Sequence, residues 1–166
     1  MISPNKIDAA RALRNAFGAF PTGVTIITTR DSQGSAVGLT VNSFTSVSLD
    51  PPLVLWSLAG DSPSRALFES TDTFAVSVLA QGQEDISKRF AAKGATRADK
   101  FKGVALDSHP SGLPLIHGAA AQFICRRQTT LPGGDHVIFL GEVTWFHRAH
   151  HAPLVFYAGH YRKLGA

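Results

Sequence analysis

The chain has 166 residues, 16 Lys and Arg against 12 Asp and Glu for a formal net charge of +4, and one cysteine. That length buries one core but not two enzyme domains, so residues 1–166 are expected to form a single domain, and a lone Cys125 excludes an intramolecular disulfide and a thiolate zinc cluster. No run of eighteen apolar residues occurs, the N-terminus MISPNKIDAARALRN lacks the basic-then-apolar order of a secretory signal, and the basic residues are scattered; the expectation is a cytoplasmic protein with no membrane and no nucleic acid partner, a phosphate-bearing ligand remaining open.

In chain order, residues 6–17 (KIDAARALRNAF) set Ile7, Ala10, Leu13, Ala16 and Phe17 at the spacing of an amphipathic helix. After Pro21 the pattern changes. VTIITT is β-branched, DSQGS reads as a tight turn, and AVGLTVNSFTSVSL resumes an extended rhythm, which predicts a hairpin. Asp50, Pro51 and Pro52 stop the second strand, and LVLWSL begins another. The tetrad DSPS predicts a helix start with Ser62 as N-cap and Pro63 in the first turn, leading into RALFES. A strand (TFAVSVLA), a polar helix (QEDISKRFAA), a basic loop (KGATRADKFKG) and a Pro/Gly-rich stretch (SHPSGLPLIHG) follow. In the last third AAAQFICRRQTT and HVIFLGEVTWFHRA flank the turn LPGGD, and PLVFYAGHYRKL closes the sequence. Strands with a few short helices, not in strict alternation, predict a mainly β fold, an antiparallel sheet or small barrel rather than a doubly wound one.

Neither GxGxxG between strand and helix nor GxxxxGK[ST] occurs, which disfavours the Rossmann and P-loop sites. Instead Thr40, Asn42, Ser43, Thr45 and Ser46 crowd uncharged donors into Gly38–Ser48. Two readings stand: an ordinary edge strand, or a strand whose hydroxyls and backbone N–H groups meet phosphate and a flat heterocycle. Gly38 and Ser43 would leave space for such a ring. His136, after Gly133, Gly134 and Asp135, is either a turn histidine facing solvent or one aimed into a cleft. His147, His150 and His151 lack a partnering carboxylate or thiolate at ligand spacing and read as a polar loop, with no metal expected. Trp56 and Trp145 read as core or interface.

The segment GLTVNSFTSVSLDPPLVLWSL, preceded by FPTGVTIITT and followed by SKRFA, GGDHVIFLGEV and PLVFYAGHYRKL, resembles the short-chain flavin reductase family, the reductase components of two-component flavin-dependent monooxygenases. The likeness runs from Phe17 to Leu164. It implies a homodimer of flavin-binding split β-barrels with antiparallel Greek-key topology. In such a protein NADH or NADPH reduces FAD or FMN, which then leaves for a partner monooxygenase.

The same resemblance implies a flavin site on Gly38, Leu39, Thr40, Val41, Asn42 and Ser43, with Thr45 and Ser46. Ser57 and Leu58 would line the ring, Ser62 and Ser64 would lie near phosphate, and Ser87, Arg89 and Phe90 would complete the far end. The nicotinamide side would fall on Pro21, Thr22, Gly23 and Val24, on His136 as the catalytic contact, and on Tyr157, Gly159 and Tyr161. Hydride transfer needs the two rings stacked within roughly 3 to 3.5 Å and no general base, so orientation is the protein's main task. A flavin-binding electron carrier without reductase turnover and a small nucleic-acid-binding β-barrel are the other readings.

Overall fold

The computed structural model describes residues 5–165, with side chains from Asp8 onward; the Ile7 side chain of the helical pattern lies outside the described residues. Helix α1 (Asn5–Phe17) leads into a short strand β1 (Thr22–Gly23) and then β2 (Thr25–Arg30). Further strands β3 (Ala36–Val41), β4 (Thr45–Leu49), β5 (Pro52–Ala59), β6 (Thr73–Val78), β9 (Ala121–Gly133) and β10 (His136–Arg148) join β2 in one antiparallel sheet, in the order β3-β2-β6-β9-β10-β5-β4. A second, small sheet pairs β1 with β11 (Val155–Tyr157) and β11 with β12 (His160–Arg162). Helices α2 (Arg65–Ser70), α3 (Glu84–Ala91) and α4 (Arg97–Phe101) lie in the connections, and β7 (Leu106–Asp107) pairs with β8 (Leu115–Ile116). The mainly β, antiparallel expectation is met.

The predicted hairpin exists only in part. Residues 36–41 pair with β2, but the chain then leaves that partner at Asn42 and reappears as β4 on the opposite edge of the sheet, against β5. Ser43 holds the crossing: its Oγ accepts the Ser57 N–H at 2.9 Å and donates to the Ser57 carbonyl at 3.2 Å. Gly38–Pro52 is therefore not one strand but two barrel edges and the link between them.

Alternation of side chains decides which residues enter the barrel. On β5 Val54, Trp56 and Leu58 point inward, and on β10 Val137 and Phe139 do, leaving Leu55, Ser57, Ile138 and Leu140 on the outer face. Trp56 and Phe139 stack at 4.4 Å, with Phe68 of α2 and Phe74 of β6 edge-on to the indole. Strand β2 is buried on both faces: Ile27 joins that core, and Ile26 joins a second cluster with Val24, Leu79, Phe90, Ile116 and Leu154 under α3. That double burial explains its unbroken β-branched run. Cys125 is fully buried, which pushes its thiol up to about 12 and leaves it a packing residue.

Two local expectations are corrected. Helix α2 has Ser64, not Ser62, as its N-cap; Ser62 instead accepts the Ser64 N–H through its Oγ. The basic stretch 93–103 is not a featureless loop, because Thr96 and Asp99 form a reciprocal capping box that starts α4. Its Phe101 ring then meets Phe90 edge-on at 4.9 Å. Helix α1 forms where its periodicity predicts, but Leu13 and Phe17 remain 54% and 70% exposed.

Gly38 belongs to this packing. A Cβ there would lie 2.7 Å from the Phe90 ring. The small residue admits a phenylalanine, not a ligand ring as the sequence suggests. Gly38→Ala is expected to cost about 1–3 kcal/mol by overpacking, read as a lower midpoint in denaturant unfolding. A variant as stable as the parent would show that α3 yields freely.

Candidate functional site

The residues assigned to flavin divide into two groups. Leu39, Leu58, Phe90 and Ser87 are buried, and Val41 packs against the main core, so their side chains are spent on packing. Gly38 is buried beneath Phe90; these positions have only backbone to offer a ligand. Thr40 Oγ1 donates to the Ser87 carbonyl at 2.7 Å, tying β3 to α3. Arg89 is exposed, but its Nη1 donates to the Lys102 carbonyl at 2.6 Å. Asn42, Thr45 and Ser46 are exposed, and Ser43, Ser57, Ser62 and Ser64 half-buried, with Ser57 on the outer sheet face.

Strand pairing brings two of the nicotinamide-side segments together, β1 and the β11–β12 hairpin, while His136 lies in the large sheet. Thr22 pairs with Phe156 and Gly23 with Val155, and the β11–β12 hairpin turns through Ala158 and Gly159, placing Thr22, Gly23, Tyr157 and Tyr161 on one small sheet that Pro21 immediately precedes. Val24 is an exception: it is 2% exposed and belongs to the core. The Tyr161 hydroxyl lies 2.8 Å from Ser87 Oγ. A continuous chain of contacts thus runs from β3 through Thr40, Ser87 and Tyr161 to the small sheet. Thr22 Oγ1 is buried with no hydrogen-bond partner, which marks a polar atom in want of one on this side.

His136 opens β10 opposite Ala59, beyond the turn at Gly134 and Asp135. Its Nδ1 sits 2.7 Å from Asp135 Oδ1. A carboxylate only accepts, so Nδ1 carries the proton and Nε2 is left for another partner. This hydrogen bond and the imidazole's charge hold the Asp135 carboxyl below the usual carboxylate range. Gly60 seats the turn, its N–H donating to the Asp135 carbonyl at 2.8 Å where a Cβ would stand 3.1 Å from the same oxygen.

His136 borders a cavity of about 680 Å³ between α2 and the β9–β10 hairpin, with Asp61, Arg65, Glu69, Leu131 and Pro132 in its walls. No motif in the sequence marks these residues. The spacing of Arg65 and Glu69 is that of a helical ion pair, but only the hairpin's return past α2 makes them part of a cavity.

A second cavity, about 400 Å³, is walled by Asp107, His117, Gln122, Trp145, His147 and His151. Among the described residues no group of three His, Cys, Asp or Glu is placed to hold a metal ion. His150 is exposed, and His151 Nδ1 lies 3.0 Å from the Gly118 carbonyl. Burial pushes the Asp107 carboxyl up, but hydrogen bonds from His117 and Gln122 and the His117 and His147 imidazoles outweigh it and hold the group low. A folded value below the unfolded one, about 3.9, stabilises the fold above that range and ceases to as pH falls through the folded value. Wild type is therefore expected to lose stability more steeply below about pH 4 than Asp107→Asn, as acid-dependent denaturant midpoints will show.

Residues 17–165 match the family described as flavin reductase like domain. A probable flavin reductase of Rhizobium meliloti is 46% identical over 82% of this chain, which spans 43% of that protein. The FMN reductase (NADH) of Agrobacterium fabrum is 44% identical over 93% of this chain and 86% of its own length. The solved NADH:FAD oxidoreductase of Streptomyces globisporus, in complex with NAD and FAD fragments, is 40% identical with a TM-score of 0.88, covering 99% of this chain and 96% of that one. Reductase components of flavin-dependent monooxygenases are also among the relatives.

Proposed function

The chain belongs to the flavin reductase-like family, and from that premise we propose that it is an NAD(P)H:flavin oxidoreductase whose flavin, FAD or FMN, exchanges freely and leaves reduced for a flavin-dependent monooxygenase. The observation that carries the reading is the family match across residues 17–165, and the contacts that link β3 to the small sheet through Thr40, Ser87 and Tyr161 support it. No helix among the described residues is long and apolar enough to cross a membrane; on this reading the protein works in the cytoplasm, where reduced nicotinamide is supplied.

The residues present fit a flavin and a nicotinamide. Thr22 Oγ1 lacks a partner, and Asn42, Thr45 and Ser46 offer exposed uncharged groups. The bound cofactors supply the hydride and its acceptor, and the organic chemistry is theirs. The chain's own task is to orient them. Asn42, Thr45, Ser46 and Ser57 hold the flavin through neutral hydrogen bonds, and His136 presents Nε2 toward the nicotinamide with its ring fixed by Asp135. Arg89 is the only charged side chain in the proposed flavin set and is already engaged with Lys102. Holding without strong ion pairs suits a ligand that must leave.

The active unit is proposed to be a homodimer. The outer face of β5, β10 and β9 carries Leu53, Leu55, Leu131, Ile138 and Leu140, with Leu131 48% exposed, and a second copy would cover it. Light scattering that returns twice the 17.7 kDa chain mass supports this, and a monomer overturns it.

Purified protein is expected to oxidise NADH or NADPH only when FAD or FMN is added. Background consumption with all four pairs would overturn the reductase reading, and a flavin retained through dialysis but inert to NAD(P)H would make the protein a carrier instead.

A further inference from the structure

We infer that Glu69, by occupying Arg65, sets the preference of this chain to NADH over NADPH; the inference rests on the reductase reading. The cavity beside His136 is where a dinucleotide whose nicotinamide meets that histidine has room to continue. Its walls hold three carboxylates, Asp61, Glu69 and Asp135, against one guanidinium, Arg65. That guanidinium faces a carboxylate of its own helix. Arg65 and Glu69 share a face of α2 at i and i+4, and Arg65 Nε donates to Glu69 Oε1 at 3.0 Å while Nη1 reaches the Gly60 carbonyl at 3.4 Å.

NADH and NADPH differ only at one ribose 2′ position, a hydroxyl in the first and a phosphate in the second. A hydroxyl donates well to a carboxylate, whereas a phosphate of nearly two negative charges needs a free arginine and is repelled by acids. With Arg65 engaged, the cavity presents a net negative wall. A phosphate entering it loses water and meets like charge; the hydroxyl finds acceptors. Glu69 is thus a specificity-determining residue and plays no part in hydride transfer itself.

The experiment compares kcat/KM for NADH and NADPH at saturating flavin in wild type, Glu69→Gln and the Glu69→Gln, Arg65→Ala double variant. Wild type is expected to favour NADH by at least about tenfold, and Glu69→Gln to narrow that ratio by about tenfold, the scale of one charge-assisted hydrogen bond. Removing Arg65 as well restores the preference, because the freed guanidinium is what accepts the phosphate. A second measurement needs no variant. The wild-type ratio shrinks as ionic strength rises from about 0.01 to 0.15 M, where the screening length falls from about 30 to 8 Å.

Equal use of both dinucleotides by wild type overturns the inference while NADH turnover leaves the reductase reading intact. A salt-independent ratio also overturns it. So does a Glu69→Gln enzyme with a shifted flavin KM and an unchanged ratio, which would assign the cavity to the flavin. No NADH oxidation with any flavin ends both readings together.

Discussion

Replacing His136 with alanine is expected to lower kcat/KM for the nicotinamide by about 10- to 100-fold, equivalent to about 1.4–2.7 kcal/mol, and to leave flavin affinity within about twofold. The magnitude is that of one positioning hydrogen bond whose loss lets a stacked ring drift from the reactive geometry. His136 is suited to the task because its backbone is held in the β9–β10 ladder and its Nδ1 is occupied by Asp135, so that Nε2 faces outward in one tautomer. Asp135→Asn keeps the shape but offers no carboxylate, and is expected to lose less than the alanine variant. The Asp135 carboxyl is held low by this hydrogen bond, so the pairing persists at neutral pH and fails only as pH drops through that lowered value. Stopped-flow reduction of added flavin would separate the effects. Unchanged kcat/KM in His136→Ala would return the residue to the solvent-facing turn that its sequence position equally allows.

Periodicity carried most of the secondary structure. The β-branched run of β2, the paired 13-residue strands around LPGGD and the α1 stripe were legible because each is a local pattern with its own stop signal. The crossing at Asn42–Phe44 was not. An extended rhythm says nothing about which neighbour a strand pairs with, and β4 reads as a continuation of β3 although it lies at the far edge. The α4 capping box was readable in Thr96 and Asp99, but the surrounding Lys and Arg masked it as a loop. For the site, the resemblance named the right segments, and local propensity could not say which side chains face outward. Leu58, Ser87 and Phe90 turn inward because β5 alternates about Trp56 and α3 docks over Gly38, facts that belong to tertiary packing. Asp61, Arg65 and Glu69 carried no recognisable motif, and a long-range hairpin contact alone draws them to His136.

Trp56→Ala is expected to cost about 3–5 kcal/mol, lowering the thermal midpoint by about 10 °C for a chain of this size. The indole is fully buried, stacked on Phe139 and flanked by Phe68 and Phe74, so truncation opens a void that four elements cannot close together. Against a typical total of about 5–15 kcal/mol, that leaves little of the folded state in reserve. Trp56→Phe is a different experiment. The indole Nε1 is buried with no hydrogen-bond partner, and an unmade bond of that kind costs about 1–3 kcal/mol. Phenylalanine removes the orphan donor while keeping an aromatic face for Phe139, so the lost volume and the relieved penalty oppose each other, and a net cost under about 1.5 kcal/mol is expected. If Trp56→Phe proves as damaging as Trp56→Ala in denaturant melts, the indole N–H has a partner after all, such as an ordered water. The comparison bears on the site as well. Trp56 fixes the inward phase of β5, and a slip of one residue would exchange it with Ser57, the residue that clasps Ser43 at the crossing. Flavin affinity in the alanine variant should therefore fall in step with stability, whereas in the phenylalanine variant it should not.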